Sequence, residues 1–576
     1  MNYLNLFSLL TNQQKKSLIY VFILMVIGML LETLSVGLVI PTITLLTQPE
    51  LLIDYPKVQT FISILGSPSD VELIVIGMLI LVTIYLLKAI FLAYFAWKQN
   101  QFAYSVLAKL SENLYLGYLK QPWSFHIKNN SAYLLRNITT EANLLVGSVL
   151  LPILKFFTEI LVLLGITVLL FLVEPVGAFL VISLLGVTGI AFQKLTQRKI
   201  IKWGEERQVH EGLRILQLQQ GLKAVKEIKL MGRELNFLDL FSFHNLKSAR
   251  AIQFKTTLQQ LPRLWLESLA IVGLTCLVFL LIAQGKSIND ILPIVGLFAV
   301  STFRILPSVN KIIEAVQNFQ YGKPAAKEVS AQISIIKNGT IVNHKEKMTL
   351  DKEILLGNLK FKYQDTNVVV IDDISLSIPK GSSTGVIGGS GEGKSTLIDL
   401  ILGLISPTGG AILVDGINVS NNLRAWQNQI GYVPQHISLL DDSLLNNVVL
   451  GLPEDQIDLS AAKRAITAAQ LDTFVKTLPQ GFQTHIGENG VKLSGGQRQR
   501  IGIARALYSD PEILVFDEAT SALDSTTEQQ VMNAIKELRK NKTIIIVAHR
   551  LSTVFDCDNV YQIKNGKLML VENLSQ

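Results

Sequence analysis

Six apolar runs, each long enough to cross a hydrocarbon core of about 30 Å as a helix rising about 1.5 Å per residue, fall at 17–46, 71–97, 144–173, 176–192, 261–283 and 291–313. Inside a bilayer every backbone N–H and C=O must be bonded within the protein, so runs of this length fold as helices. Lys15 and Lys16 precede the first run and no small-x-small cleavage pattern marks it, so it reads as a retained span with its N-terminus in the cytoplasm.

The connections alternate in character. Residues 47–70 carry Glu50, Asp54 and Asp70 against Lys57, the next turn is Glu174-Pro175, and 284–289 is short; these are expected on the outer side. Segments 98–143 and 194–260 are long. The second carries Lys194, Arg198, Lys199, Lys202, Arg207, Lys223, Lys226, Lys229 and Arg233, and an excess of Lys and Arg marks the cytoplasmic face. Both are rich in helix formers and nearly free of proline, so spans two to five are expected to continue as helices beyond the membrane. Reversals are expected at Gln121-Pro122-Trp123-Ser124 and within 219–233, where Gly221 and Gly232 lie, and these tips are expected to dock on the soluble half.

Mean hydropathy is +0.39, an average over a membrane half and a soluble half. The net charge of +7 is modest and gathered between the apolar runs, which points to membrane orientation and away from a nucleic-acid partner. Two cysteines, Cys276 and Cys557, exclude a disulfide framework and a cysteine metal cluster, and no cysteine peptidase is expected ahead of the first span. Glu32, Lys88, Glu159, Arg263, Glu267 and Arg304 lie inside spans, where an ionisable group costs about 2.5–3.5 kcal/mol at the bilayer centre. Two readings stand: the groups pair with one another, or Lys88, Arg263 and Arg304 line a cavity for an anionic substrate.

The organisation expected is a six-helix transmembrane domain at 1–313, a linker at 314–351 and a soluble α/β domain at 352–576. The soluble half contains Gly388-Gly389-Ser390-Gly391-Glu392-Gly393-Lys394-Ser395-Thr396, of the form G-x-x-x-x-G-K-[ST], between a short buried strand at 383–387 and a helix starting at 396. The glycines let backbone N–H groups close around a phosphate, and the helix N-terminus adds a favourable dipole. Lys394 would reach the β- and γ-phosphates and Ser395 would ligate Mg²⁺. Tyr363, at the end of a strand, suits either an adenine platform or a core aromatic. Gln435 follows the strand-like 430–434 and could reach the metal or the attacking water. Ser494, Gly495, Gly496 and Gln497 open a helical run whose backbone N–H groups make a second anion cradle. Residues 513–518 form a buried strand ending in Asp517, suited to the Mg²⁺ shell, and Glu518, suited to be the general base for in-line attack on the γ-phosphate. His549, ending the strand at 543–548, could contact the γ-phosphate or hold the water.

The order of these motifs, with Ser521-Ala522-Leu523-Asp524, resembles the nucleotide-binding domain of ATP-binding cassette (ABC) transporters from about residue 352 onward. Six spans ahead of one such domain resemble an exporter half-transporter of the type IV (B-family) fold. The resemblance implies a P-loop ATPase domain with a helical subdomain and a helix-swapped homodimer, in which ATP on the 388–396 loop of one copy is closed by Ser494 to Gln497 of the other. It also implies Tyr363 as the adenine platform and Gln435 as the element that senses the membrane domain. Glu392 stands where many relatives carry a small residue or cysteine, at a loop position that can point away from phosphate.

Glu32-Thr33, Val39-Ile40-Pro41, residues 262–267 and residues 303–308 are similar to the corresponding stretches of the PglK family, flippases for lipid-linked oligosaccharides, in which the positions of Lys88, Arg263 and Arg304 are also basic. Lysine at 88 keeps the charge and loses the planar fork of arginine. This implies ATP-driven flipping of an anionic lipid-linked oligosaccharide or related glycolipid from the cytoplasmic to the outer leaflet. Export of drugs, other lipids or peptides is the alternative. A reading of another class, an ATP-gated channel or regulatory membrane protein, is opposed by Glu518 and His549, since a gate needs binding more than turnover. The expected partners are a second copy, membrane lipids and a lipid-pyrophosphate or glycolipid substrate, with ATP and Mg²⁺ as cofactors. The expected place is the inner membrane of a bacterial-type cell with the soluble half cytoplasmic.

Overall fold

The structure, a computed structural model, describes residues 10–47, 70–286, 288–338, 348–363, 368–487, 490–519, 528–529, 533, 536–537 and 542–571. The acidic connection at 48–69 and the motif Ser521-Ala522-Leu523-Asp524 lie outside the described residues. Contacts divide the chain into two units, Met1–Gln121 with His126–Thr340, and Pro122–Phe125 with Ile341–Gln576.

In the first unit, six helices among the described residues are long and apolar enough to cross a membrane. Helix α1 (Asn12–Gly37) starts on a capping box, with Thr11 Oγ accepting from the Gln14 N–H at 3.2 Å and the Thr11 N–H donating to Gln14 Oε1 at 3.0 Å. Short α2 (Val39–Thr47) follows, then α3 (Asp70–Leu119). Leu79, Leu86, Leu87 and Ile90 of α3 are exposed, an apolar belt that suits lipid and not water. After α4 (Trp123–Lys128), the third span is reached through α5 (Ser131–Arg136), a π-helical turn at Asn137–Glu141, α6 (Ala142–Leu145) and a second π turn at Val146–Leu150, leading into α7 (Leu151–Val173). Helix α8 (Pro175–Lys223) and α10 (Glu234–Ala283) are 49 and 50 residues long, and short α9 (Val225–Met231) reverses the chain between them. At about 1.5 Å per residue such helices are more than twice the length a bilayer core requires. The reversal ends on Gly232 at φ 61°, with the Arg233 N–H donating to the Ile228 carbonyl at 3.0 Å.

Helix α11 (Ile288–Asn338) carries the sixth span and does not stop at residue 313, so residues 314–338 of the expected linker are helical. Its continuation buries Ile313, Gln317, Tyr321, Ala325 and Val329, a four-residue spacing along one face. Hydropathy falls there because the other face is polar, while the helical period persists. Gly204 of α8 lets the α11 backbone approach, since a Cβ would lie 2.5 Å from the Tyr321 carbonyl oxygen. The apolar core draws Ile166 and Leu170 from α7, Leu185 from α8, Leu277 from α10 and Phe298 from α11. Farther along α8 the Arg207 guanidinium grips the fully buried Glu141 with two hydrogen bonds of 3.2 and 3.1 Å.

Among its described residues the second unit holds two sheets. One is antiparallel in the order β2-β1-β4-β5, from β1 (Glu353–Lys362), β2 (Val369–Pro379), β4 (Gly409–Val414) and β5 (Ile417–Asn418). The other runs β10-β9-β3-β8-β7-β6, from β3 (Ser383–Ile387), β6 (Ile430–Val433), β7 (Ile513–Asp517), β8 (Thr543–Ala548), β9 (Asn559–Lys564) and β10 (Lys567–Leu570). Strands β3, β7 and β8 pair in parallel and are buried along nearly their whole length, β7 and β8 on near-continuous apolar runs and β3 with Ser383 and Thr384 buried as well. Helix α12 (Lys394–Ile401) follows β3, and α13 (Leu444–Val449), α14 (Leu459–Ala468) and α15 (Gly495–Leu507) pack around Val448, Ile466 and Ile501 as a helical subdomain. Ile387 pairs with Ala548 and Asp517 with Val547, so the segments starting at Gly388, Glu518 and His549 leave the sheet side by side.

Glu141→Ala removes the charge that compensates Arg207 in a dry setting and is expected to cost about 3–5 kcal/mol. A melting temperature of the purified chain that does not fall contradicts this accounting.

Candidate nucleotide site

The loop between β3 and α12 depends on Gly391 and Gly393, at φ 83° and 102°, values side chains rarely adopt. Lys394 Nζ donates to the carbonyls of Gly388 and Gly389, both at 2.9 Å, and lies 3.3 Å from His549 Nε2. Burial pushes its ammonium below the usual lysine range, against the pull of Glu518, Asp517 and Glu392. Ser395 is exposed and Thr396 buried, with the Thr396 and Tyr363 hydroxyls 3.3 Å apart. The Tyr363 ring stands edge-on to Phe361 with centroids 4.9 Å apart. Glu392 turns its carboxylate to the Asn565 N–H.

Glu518 sits in the left-handed region at φ 47°, a conformation that costs a side-chain residue about 1–2 kcal/mol. Its backbone N–H is held by the Val547 carbonyl at 2.8 Å. Its carboxylate is held on both sides: His549 Nε2 lies 2.7 Å from Oε1, and Gln435 Nε2 donates to Oε2 at 2.6 Å. Asp517 accepts from the Tyr432 hydroxyl at 3.3 Å, and burial followed by the charge of Glu518 raises its pKa. Burial and the charge of Asp517 push Asp399, on α12, up to about 6. The Ser395 hydroxyl, the Asp517 carboxylate and the Gln435 amide oxygen are hard donors that fit Mg²⁺. Among the described residues no cluster of three or more His, Cys, Asp or Glu could hold a metal by itself, so such an ion would need phosphate oxygens to complete its shell.

Ser494 caps α15: its Oγ accepts from the Gln497 N–H at 3.2 Å while Gln497 Oε1 accepts from the Ser494 N–H at 2.9 Å. The N–H groups of Gly495 and Gly496 open the helix beside this cap. No hydrogen bond or ion pair among the described residues joins this turn to the 388–396 loop.

In the membrane unit Lys88 Nζ lies 3.1 Å from Glu32 Oε2, donates to Ser35 Oγ at 2.9 Å and sits 4.5 Å from the centre of the Tyr85 ring. Arg304 reaches Glu32 at 3.1 Å and Glu159 at 3.3 Å, and Lys311 reaches Glu159 at 2.8 Å. Ser308 accepts from Arg304 at 2.8 Å and donates to Glu159 at 2.7 Å. Lys88 and Arg304 are thus brought together through Glu32, in a network of Lys88, Arg304 and Lys311 against Glu32 and Glu159 that joins α1, α3, α7 and α11. Arg263 is not part of it. Its side chain is 75% exposed and pairs with Glu267, one turn along its own helix, at 2.9 Å.

Sequence reasoning missed Lys311, Tyr432 and Asp399. Lys311 carries a visible signal, lying two helical turns after Arg304 and hence on the same face. Tyr432 and Asp399 look like ordinary strand and helix residues until β6, β7 and α12 are assembled.

Asp399 holds its proton in the folded chain up to about 6, against an ordinary 3.8, so the folded state binds more protons than the unfolded between those values. Its contribution to stability therefore falls as pH rises through that window and is unfavourable above it. Asp399→Asn, which cannot ionise, is expected to raise the melting temperature at about pH 8 and to bring no such gain at about pH 4. An equal shift at both contradicts the assignment.

A sequence profile described as ABC transporter matches residues 371–521. The chain is 29% identical to an ATP-dependent lipid A-core flippase of Cupriavidus metallidurans over 81% of its own length and 79% of that protein's. Among solved structures, that of a bacterial Atm1-family ABC exporter with ATP bound superposes with a TM-score of 0.78 over 97% of this chain and 95% of that one, at 21% identity, and so shares the fold. A second relative, the ATP-dependent lipid A-core flippase of Alkalilimnicola ehrlichii, is 31% identical over 81% of this chain and 78% of its own, a likeness that spans both halves, and the chain belongs to the ABC transporter family.

Proposed function

We propose that this chain pairs with a second copy and flips an anionic lipid-linked oligosaccharide, or a related glycolipid, from the cytoplasmic to the outer leaflet. Its class is that of an ATP-driven ABC exporter, an integral multi-pass membrane protein in which ATP hydrolysis is coupled to transport. The finer reading rests on one observation. Three cations, Lys88, Arg304 and Lys311, face two carboxylates, Glu32 and Glu159, across four helices. The cluster carries one more cation than carboxylates, with Lys311 half exposed at its edge, and a phosphate or pyrophosphate headgroup would offset that surplus. Arg263 would join this charged cluster if α10 presented it there in the dimer.

In the soluble half, the N–H groups of 388–396 and Lys394 would hold the β- and γ-phosphates, with Tyr363 against adenine. Glu518, oriented by Gln435 and His549, would take the proton of the attacking water. Mg²⁺ bound by Ser395, Asp517 and Gln435 would neutralise charge on the phosphate oxygens. Ser494 to Gln497 of the second copy would close the pocket, and the reversals at 121–124 and 219–233 would carry that closure to the spans. Driving the conformational balance from 1:99 to 99:1 takes about 5.5 kcal/mol of differential binding, a reasonable demand on two nucleotides.

A second reading, a lipid A-type cargo, is favoured by the names of the relatives. Reconstituted vesicles supplied with a pyrophosphate-linked oligosaccharide or with lipid A separate the two, by which lipid crosses on addition of ATP. Glu518→Gln is expected to abolish turnover and trap ATP between two copies; rapid phosphate release by that variant removes Glu518 from the base role. Alanine at Lys88, Arg263 and Arg304 together is expected to stop glycolipid movement while ATP hydrolysis continues. Undiminished flipping contradicts the cationic cavity.

A further inference from the structure

The 388–396 loop carries one group that phosphate binding does not call for. A carboxylate within a few ångströms of a phosphate cradle repels the ligand unless it is held aside. Glu392 is so held: its Oε2 accepts the Asn565 N–H at 2.6 Å. Asn565 and Gly566, at φ 50° and 75°, form the turn of the β9–β10 hairpin. That turn is itself fastened, since the Asp372 N–H of β2 donates to the Gly566 carbonyl at 2.9 Å, and a Cβ on Gly566 would lie 2.8 Å from the Val370 carbonyl oxygen. The loop touches the same two elements through its glycines. A Cβ on Gly388 would come within 2.7 Å of the Ile563 carbonyl oxygen, and one on Gly393 within 3.0 Å of that of Val370. The loop, the start of β2 and the C-terminal hairpin therefore meet at one junction, and the Glu392 side chain closes it.

We infer that Glu392 is a positioning residue that clamps the crest of the nucleotide loop to the β9–β10 turn, so that the C-terminal hairpin sets the shape in which the loop meets ATP. The side chain has two opposing effects. Its charge disfavours the phosphates, and its hydrogen bond fixes the backbone N–H groups that bind them. The carboxylate also lies close enough to Lys394 to favour the charged ammonium.

Glutamine and serine at 392 separate the two effects, because both are neutral and only glutamine is long enough to accept from Asn565. The full-length chain in nanodiscs is assayed for the ATP concentration giving half-maximal hydrolysis and for deuterium exchange at the Asn565 amide. Glu392→Ser is expected to need about fivefold more ATP than Glu392→Gln, the worth of one neutral hydrogen bond. The Asn565 amide is expected to stay protected in the parent chain and in Glu392→Gln, and to exchange about tenfold faster in Glu392→Ser. Equal ATP requirements for the two variants, or equal exchange at Asn565, overturns the clamp. Glu392→Asp gives a second arm should serine impair folding: it keeps the charge but is shorter by a methylene, and is expected to lose Asn565 protection and to show the highest ATP requirement. An aspartate variant that matches the parent in both readouts also overturns it.

Discussion

Glu518 is held by a hydrogen bond from Gln435 and by the close approach of His549, two groups that follow different strands, and the rest of the soluble unit can be understood as what brings them there. The parallel register of β3, β8 and β7 puts the ends of three strands side by side, so that the 388–396 loop, His549 and Glu518 emerge together. Strand β6, paired to β7, adds Gln435 from the fourth. The cost of the left-handed backbone at Glu518 is sustained by a sheet in which β7 and β8 are almost wholly buried. A carboxylate gripped from both sides cannot wander, which is what the proposed base would require to aim at a single water.

In the membrane unit the governing constraint is dielectric. A charge in the bundle must find a partner, and Glu32 and Glu159 each serve two cations. The five groups come from four helices, so relative movement of α1, α3, α7 and α11 strains these pairs. The proposed anionic cargo, by competing for the cations, would act on the same contacts that hold the helices together.

Much of this was legible from the chain. Asp517-Glu518 and His549 each ended or followed an apolar run of strand length, the G-x-x-x-x-G-K-[ST] loop carried its own spacing, and the six spans announced themselves by length alone. The continuation of α11 was not, because hydropathy averages both faces of a helix and even the inward face mixes Tyr321, Ala325 and Val329 with the buried Gln317 and Gln320. The partners of Glu392 and Asp399 were also hidden, since Asn565 lies 173 residues from Glu392 and only the order of strands in the sheet brings them near. Residue type alone could not say that Arg263 would pair along its own helix while Arg304, in a similar sequence setting, would bridge Glu32 and Glu159.

The proposed pairing would have each nucleotide closed by the Ser494 to Gln497 turn of a second copy, a turn that caps the start of its own helix α15. Hydrolysis rates measured for nanodiscs sorted to contain one chain or two test it most directly. The account predicts background activity from single chains and full turnover from pairs. An equal rate per chain in both populations would contradict it.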